Sequence, residues 1–137
     1  MIKPEDLIGL IKRHEGVRAF PYIDTVGKIT IGVGHNLTDN GITNAVINTI
    51  LAEDINIAKS ELDKIYPDWC DLSDNRKMVV VSMMFNMGSP RYLTFKRFWK
   101  ALKAGQYDLA AEEMEDSKWR RQVGNRALEL SKMMRTG

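Results

Sequence analysis

One segment of this chain is apolar on nearly every side, and it limits the folds open to the rest. Residues 78–85 read Met-Val-Val-Val-Ser-Met-Met-Phe, a single serine among seven apolar side chains. A helix without a polar face has to be enclosed by other elements, so this pattern predicts the buried centre of a helical lobe. Asp71 or Ser73 is placed to cap this helix, and the Gly-Ser-Pro sequence at 88–90 to end it.

A second predicted helix is unusually long. It begins at Thr43, a favourable N-cap residue, and runs to about Tyr66, which precedes Pro67. Apolar side chains recur along it at helical spacing: Ile47, Leu51, Ile55, Ala58, Leu62 and Ile65. At 1.5 Å per residue it is about 35 Å long, enough to connect two lobes.

The first quarter of the chain changes from a helical to a strand pattern. Residues 4–15 have helical spacing and favourable first-turn residues, and the helix is predicted to end at Gly16. Residues 19–24 and 29–31 flank a turn that contains Gly27, which predicts a short β-hairpin. Further helices are predicted at 95–104, 108–117 and 125–135.

These elements predict an α+β, predominantly helical fold that forms a single domain over residues 1–137. The N-terminal lobe, about residues 16–45, holds a small antiparallel sheet, and the connecting helix covers about 44–66. Residues 67–137, together with the helix at 4–15, form an all-helical lobe. Two lobes joined by one helix leave a cleft, which suits an extended polymer.

Composition excludes several classes of protein. The hydrophobic share of 44% and the charged share of 28% are typical of globular domains. One cysteine excludes an internal disulfide, and with two histidines it gives no metal-ligand spacing, so neither a metal nor a cofactor is expected. No apolar run reaches the roughly 20 residues of a membrane span, and the first residues lack the apolar core of a signal peptide. We therefore expect a cytoplasmic chain without stable membrane insertion.

The net charge of +2 conceals a basic segment near the C-terminus. Residues 118–135 hold one acid, Glu129, and six cations: Lys118, Arg120, Arg121, Arg126, Lys132 and Arg135. Such a face suits a polyanion, whether nucleic acid or an anionic cell wall, but a solvated helix surface explains it equally well. No helix-turn-helix or aromatic–basic pattern is present, so nucleic acid is not expected as a partner.

Glu15 is the first candidate catalytic residue. It is the last predicted helical residue before Gly16, so its carboxylate faces the negative end of the helix dipole, which disfavours the ionised form. Cover by an apolar neighbour such as Phe20 or Phe85 would strengthen this effect. A carboxyl group that keeps its proton near neutral pH is what cleavage of a glycosidic bond requires. The alternative is a solvated glutamate at a helix end.

Asp24 and Thr30 are the second and third candidates. In a hairpin centred on Gly27, Asp24 would face Thr30 directly across the two strands. Thr30 would then point away from the face of Ile29 and Ile31, towards the cleft rather than the core. A carboxylate and a hydroxyl side by side can hold one water molecule. The alternatives are a turn-capping aspartate and an ordinary strand threonine.

His35 and Asp54 are predicted to form a structural ion pair. Asp54 lies within the apolar sector of the long helix, where a carboxylate needs a partner. His35 follows Gly34 directly, and pairing with Asp54 would tie the hairpin to that helix. Gly32 and Gly34 mark positions where the backbone bends or is closely approached by another group.

The spacing of these residues resembles that of the tailed-phage lysozymes, also called endolysins or muramidases. The resemblance rests on Glu15, on Asp24 nine residues later, on Thr30 six after that and on His35 five further on, with glycines in the expected places. It extends through residues 85–88 and 117–127 to the closing residues 135–137, and so covers nearly the whole chain. It implies the two-lobed lysozyme-like fold and hydrolysis of the bond between N-acetylmuramic acid and N-acetylglucosamine.

The resemblance also implies roles for individual residues. Glu15 would be the general acid, Asp24 would stabilise the oxocarbenium ion and help to place water, and Thr30 would orient that water, with inversion of the anomeric centre. Asn36, Phe85, Phe98 and Glu113 fall at substrate-binding positions. Asn36, Phe98 and Glu113 differ in type from the residues that a known member of the family has at these positions, which leaves subsite preference open.

Two other functions remain as alternatives: a lytic transglycosylase and a non-catalytic wall-binding module. The presence of both Asp24 and Thr30 argues against a transglycosylase, which uses one acid/base glutamate. The expected partner is bacterial peptidoglycan, and the expected state is a monomer. Following the family's lysis role, the chain would stay in the host cytoplasm until a membrane pore such as a holin releases it to the wall.

Overall fold

Nine α-helices, three short strands and one 3-10 helix make up the chain, and the computed structural model describes all 137 residues. The residues form two compact units, Met1–Thr49 and Ile50–Gly137. The first unit holds α1 (Pro4–Glu15), β1 (Arg18–Ile23), β2 (Ile29–Gly32), β3 (His35–Asn36), α2 (Leu37–Asn40) and the start of α3 (Asn44–Ile65). The second holds the rest of α3, the 3-10 helix Pro67–Asp71, α4 (Asp74–Met87), α5 (Ser89–Tyr92), α6 (Lys96–Lys103), α7 (Tyr107–Glu115), α8 (Lys118–Val123) and α9 (Asn125–Thr136).

The sheet of the first unit is antiparallel, with β2 in its centre. Tyr22 of β1 and Asn36 of β3 are both paired with Thr30 of β2. Because partners in adjacent strands project from the same face of a sheet, these three side chains form one row across it. The β1–β2 register shifts between Arg18 and Tyr22, where β1 carries an irregularity.

The long helix α3 starts as predicted. The Thr43 hydroxyl accepts a hydrogen bond from the Val46 amide at 3.3 Å, and the Thr43 carbonyl accepts one from Ile47 at 2.9 Å. Thr43 is therefore the N-cap of α3. Of the predicted apolar stripe, Ala58 and Leu62 are buried.

The apolar segment that limits the fold lies in the core of the second unit. Helix α4 buries Val79, Val80, Met83 and Met84, so the predicted enclosure of this segment is confirmed. Of the two predicted caps, Asp71 and Ser73, the N-cap of α4 is Ser73, whose hydroxyl accepts a hydrogen bond from the Arg76 amide. The core around α4 is rich in large side chains from α5, α6 and the helices that follow: Tyr92, Phe98, Trp99, Leu102, Met114, Trp119 and Met134.

The α+β, mainly helical class predicted from the sequence is confirmed. Five short elements escaped prediction: β3, α2, the 3-10 helix, α5 and α8. The predicted single domain, and the grouping of the helix at 4–15 with the helical lobe, stay predictions. None of the helices combines the length and the apolar character required to cross a lipid bilayer.

One ion pair joins α7 to α9 in the second unit. Arg135 donates two hydrogen bonds to Glu115, at 2.7 Å to Oε1 and 3.4 Å to Oε2, and the buried Ser131 hydroxyl adds a third at 3.0 Å. The hydrogen bond from Arg135 lowers the pKa of Glu115 below its usual value, against the opposing effect of burial. The ionised form of Glu115 therefore stabilises the folded chain.

Replacing Glu115 with Gln should lower the Tm at neutral pH by a few degrees, because both side chains of the pair are about a third exposed and solvent weakens it. A carboxyl group whose pKa is lowered on folding contributes its stability above the unfolded pKa and loses it as the pH falls through the folded value. The Tm difference from the wild type should therefore shrink below about pH 4. Thermal melts between pH 3 and pH 7 measure this Tm difference, and Glu129→Gln is the control for an acid without an ion pair. A Tm difference that stays constant with pH would contradict the stabilising role of the ionised Glu115.

Candidate active site

Glu15 ends α1 and lies against the turn between β2 and β3. The helix closes there because the Gly16 amide donates to the Lys12 carbonyl at 2.9 Å. A Cβ atom placed on Gly34 would come within 2.7 Å of Glu15 Oε2 and within 3.1 Å of its Cδ, so the carboxyl group occupies the space that a side chain at position 34 would fill. The predicted close approach at Gly34 is thus confirmed, and the approaching group is Glu15.

The predicted apolar cover of Glu15 by Phe20 is wrong. Phe20 is 82% exposed, and Glu15 itself is an exposed residue. The contact that places the Glu15 carboxyl group comes from backbone, at Gly34, rather than from an aromatic ring. Gly34 has a φ of +66°, a conformation that side-chain-bearing residues rarely adopt, so both its backbone and its surroundings favour glycine.

Asp24 follows β1 and holds the hairpin turn together. Its Oδ1 accepts hydrogen bonds from the amides of Val26 at 3.0 Å and Lys28 at 2.8 Å. This is the turn-capping role considered as an alternative. It does not exclude a reactive role, because both bonds use one carboxylate oxygen and Oδ2 takes neither.

The hairpin register differs from the predicted one. Thr30 pairs with Tyr22 rather than Asp24, and the Asp24 amide donates to the Lys28 carbonyl at 2.9 Å. The loop is therefore centred on Val26, one residue before the predicted centre. Asp24 keeps the alternation of Tyr22, two residues earlier, so its side chain belongs on the same face as Thr30 as a diagonal neighbour.

Thr30 is buried, which contradicts its predicted exposure to a cleft. It is 3% exposed, whereas Ile29 is 45% exposed. The reason is its position on the central strand, where partners flank it on both sides. Its hydroxyl donates to the Lys28 carbonyl at 3.1 Å, which satisfies the buried donor and leaves the oxygen lone pairs as acceptors.

The Lys28 backbone joins the two candidate groups. Its amide donates to Asp24 Oδ1, and its carbonyl accepts from the Thr30 hydroxyl. Both side chains are therefore oriented by the two polar groups of one residue. The predicted direct cross-strand pairing of Asp24 with Thr30 is wrong, and the Lys28 backbone, which contacts both side chains, connects them instead.

The remaining predicted residues of the first unit have structural contacts. His35 Nε2 is 2.5 Å from the Gly41 carbonyl oxygen, within the first unit. The ion pair of His35 with Asp54 stays a prediction. Asn36 is the N-cap of α2: its Oδ1 accepts from the Asp39 amide and its Nδ2 donates to Asp39 Oδ2, both at 3.0 Å.

The other predicted substrate-binding residues lie in the second unit. Phe85 is 47% exposed and lines two grooves on the α4 surface. Phe98 and Glu113 line a separate groove of about 630 Å³, although Phe98 is almost fully buried among the core aromatics. Four cations also line that groove, and none of them forms a salt bridge: Arg91, Lys96, Arg97 and Lys118. Substrate contact by Phe85, Phe98 and Glu113 stays a prediction.

The sequence analysis missed the contribution of α2 to the site. The Thr38 hydroxyl accepts a hydrogen bond from the Ile29 amide at 2.8 Å, and the Lys28 ammonium pairs with Asp39 at 3.0 Å. The available signal was Asn36 followed three residues later by Asp39, a spacing typical of a capped helix start. No group of three or more His, Cys, Asp and Glu side chains is arranged to hold a metal ion.

The first unit therefore holds two carboxyl groups, Glu15 against Gly34 and Asp24 on the Lys28 backbone, and glycoside hydrolases use a pair of such groups. The phage lysozyme family model matches residues 12–135. The chain therefore belongs to the phage lysozyme family and is a lysozyme that degrades peptidoglycan.

Similar proteins come from several biological settings. "Probable T4-type lysozyme 1" of Dictyostelium discoideum is 27% identical, over 93% of this chain and 92% of the relative. An endolysin of Acyrthosiphon pisum secondary endosymbiont phage 1 is 32% identical, over 80% of this chain and 74% of the relative. The pre-baseplate central spike protein Gp5 of Enterobacteria phage T4 is 26% identical over 93% of this chain, which corresponds to 27% of that protein.

Proposed function

We propose that this lysozyme hydrolyses the β-1,4 bond between N-acetylmuramic acid and N-acetylglucosamine by general acid catalysis, with inversion at the anomeric carbon. The observation that carries this proposal is the joint orientation of Asp24 and Thr30 by the Lys28 backbone, in the unit that also holds Glu15 on Gly34. Inverting hydrolysis requires one acid for the leaving oxygen and a separate carboxylate for water.

Glu15 is the proposed acid. As the bond between the anomeric carbon and the bridging oxygen breaks, the Glu15 carboxyl group gives its proton to that oxygen. Its position supports this role, because it ends α1 and its carboxyl group fills the space that a side chain at Gly34 would need.

Asp24 and Thr30 are the proposed holders of the nucleophilic water. The Thr30 hydroxyl hydrogen is committed to the Lys28 carbonyl, so Thr30 can only accept a hydrogen bond from water. Asp24 Oδ2 accepts the other hydrogen. With both hydrogens held, an oxygen lone pair of the water points to the anomeric carbon; the new carbon–oxygen bond forms and the released proton passes to Asp24.

Substrate contacts are proposed for Asn36, Phe85, Phe98 and Glu113. The exposed ring of Phe85 can stack on a sugar face, and the cations around the groove of Phe98 and Glu113 attract an anionic polymer. We further propose a monomer that serves host-cell lysis, as the endolysin relative's name suggests, and that reaches the wall from the host cytoplasm through a holin-type pore.

Digestion of purified peptidoglycan tests the reaction. Mass analysis should find products with an ordinary reducing end, and NMR at the start of the reaction should find the α-anomer, since the bond cleaved is β. An anhydro-muramic end would instead identify a lytic transglycosylase, and an initial β-anomer would show retention. Binding without any fragments would identify a wall-binding module.

Replacing Asp24 with Asn should lower the hydrolysis rate by at least about 10²-fold, because Asn cannot receive the proton from water. The side-chain oxygen of Asn can still accept the two amide hydrogen bonds of the turn, so the fold should persist. Asp6→Asn is the matched control in the same unit, and it should keep most activity, because Asp6 is exposed in the first turn of α1 and takes part in no ion pair. Equal losses in the two variants would contradict the assignment of Asp24.

A further inference from the structure

One peptide group links the proposed water site to helix α2. Its carbonyl, which belongs to Lys28, accepts hydrogen bonds from the Thr30 hydroxyl at 3.1 Å and the Asp24 amide at 2.9 Å. Its N–H, which belongs to Ile29, donates to the Thr38 hydroxyl oxygen at 2.8 Å. The C=O and N–H of one peptide share a rigid plane, so a hydrogen bond at one end restricts the direction of the other.

Thr38 supplies an acceptor that the sheet does not. Pairing between β2 and β3 ends with the pair Thr30–Asn36, because Asn36 is the last residue of β3. The Ile29 amide, one residue before Thr30, takes its acceptor from the first turn of α2 instead. The start of α2 is in turn fixed by its Asn36 cap. The hydroxyl of Thr38 therefore extends the contacts of β2 beyond the point where its pairing with β3 stops.

We propose that Thr38 is a positioning residue for the hydrolysis: by fixing the Lys28–Ile29 peptide plane, it aims the Lys28 carbonyl that orients the Thr30 hydroxyl. The inference rests on the proposed function of Thr30. Thr38 itself touches neither the substrate nor the water. Loss of its acceptor lets the peptide plane rotate, and the Thr30 lone pairs then turn away from the water.

The test compares Thr38→Val, which removes the acceptor at nearly constant shape, with Thr38→Ser, which keeps it. On solubilised peptidoglycan fragments, kcat should fall about tenfold in the Val variant with KM within about twofold, while Ser restores kcat to within about threefold of wild type. Thr49→Val, which removes an exposed hydroxyl that bonds the Ala45 carbonyl in the same unit, is the control and should leave kcat unchanged.

Two further measurements separate positioning from a merely structural role. Thr38→Val should add no further loss of kcat to Thr30→Val, because it acts through the Thr30 hydroxyl. By NMR, hydrogen exchange of the Ile29 amide should become faster in Thr38→Val than in the Thr49→Val control. Should the Val variant not fold, Thr38→Ala serves in both measurements.

Additive losses in the double variant, or an unchanged kcat in Thr38→Val, would overturn the inference. Either result leaves the proposed function in place as long as Glu15→Gln and Asp24→Asn are inactive. Full activity of those two variants would overturn the proposed function instead.

Discussion

Replacing Glu15 with Gln is expected to lower the rate of peptidoglycan hydrolysis by about 10³-fold without weakening binding of the glycan. Gln has nearly the same shape as Glu, so the contact with Gly34 can persist, but its amide N–H is far too weak an acid to give a proton to the leaving oxygen. The loss should therefore appear in the chemical step alone. Clearance of a peptidoglycan suspension measures the rate, and co-sedimentation with the same material measures binding.

Glu5, at the opposite end of α1, provides the control. It lies in the first turn, is exposed and takes no part in the site, so Glu5→Gln should clear the suspension at the wild-type rate. Normal clearance by Glu15→Gln would show that another group supplies the proton.

Replacing Gly34 with Ala is expected to lower the hydrolysis rate by about 10²-fold while the chain still folds. The new Cβ would lie 2.7 Å from Glu15 Oε2, closer than such atoms approach. The atoms it meets belong to a flexible side chain, so the Glu15 carboxyl group can move away and the backbone can stay. Displacement of a catalytic group by about 1 Å has effects of this size.

The variant Gly32→Ala is the control that separates backbone strain from the displacement of Glu15. Its φ is +68°, close to the +66° of Gly34, but a Cβ there would meet no atom within 4 Å. Both alanine variants should lose about 1–2 kcal/mol of folding free energy from the left-handed backbone. Only Gly34→Ala should also lose activity at a temperature where both proteins are folded. Equal activity of the two would mean that Gly34 does not place Glu15.

The long elements were predictable from the sequence because each depends on its own residues. Helix α3 begins at its Thr43 cap, and α4 follows from an apolar segment that has to be buried. The short α2 and the two-residue β3 escaped prediction because such elements contain too few residues to show a period.

The candidate site was predictable in its residue types and not in its detailed geometry. Glu15, Asp24 and Thr30 stood out by spacing, but the register assumed a symmetrical turn on Gly27. The Asp24 carboxylate closes the loop on Lys28 instead and moves the centre to Val26. Burial of Thr30 followed from a third strand that the sequence pattern did not show, and the contact of Glu15 with Gly34 is a tertiary one.

The three proposed reacting groups span only sixteen consecutive positions, from Glu15 to Thr30, and their supporting residues end with Thr38. Contacts between residues so near in sequence form with little loss of chain entropy, so this stretch can acquire its geometry early in folding. A stretch of this kind can be carried by polypeptides of very different size: 93% of this chain aligns with only 27% of the phage T4 spike protein.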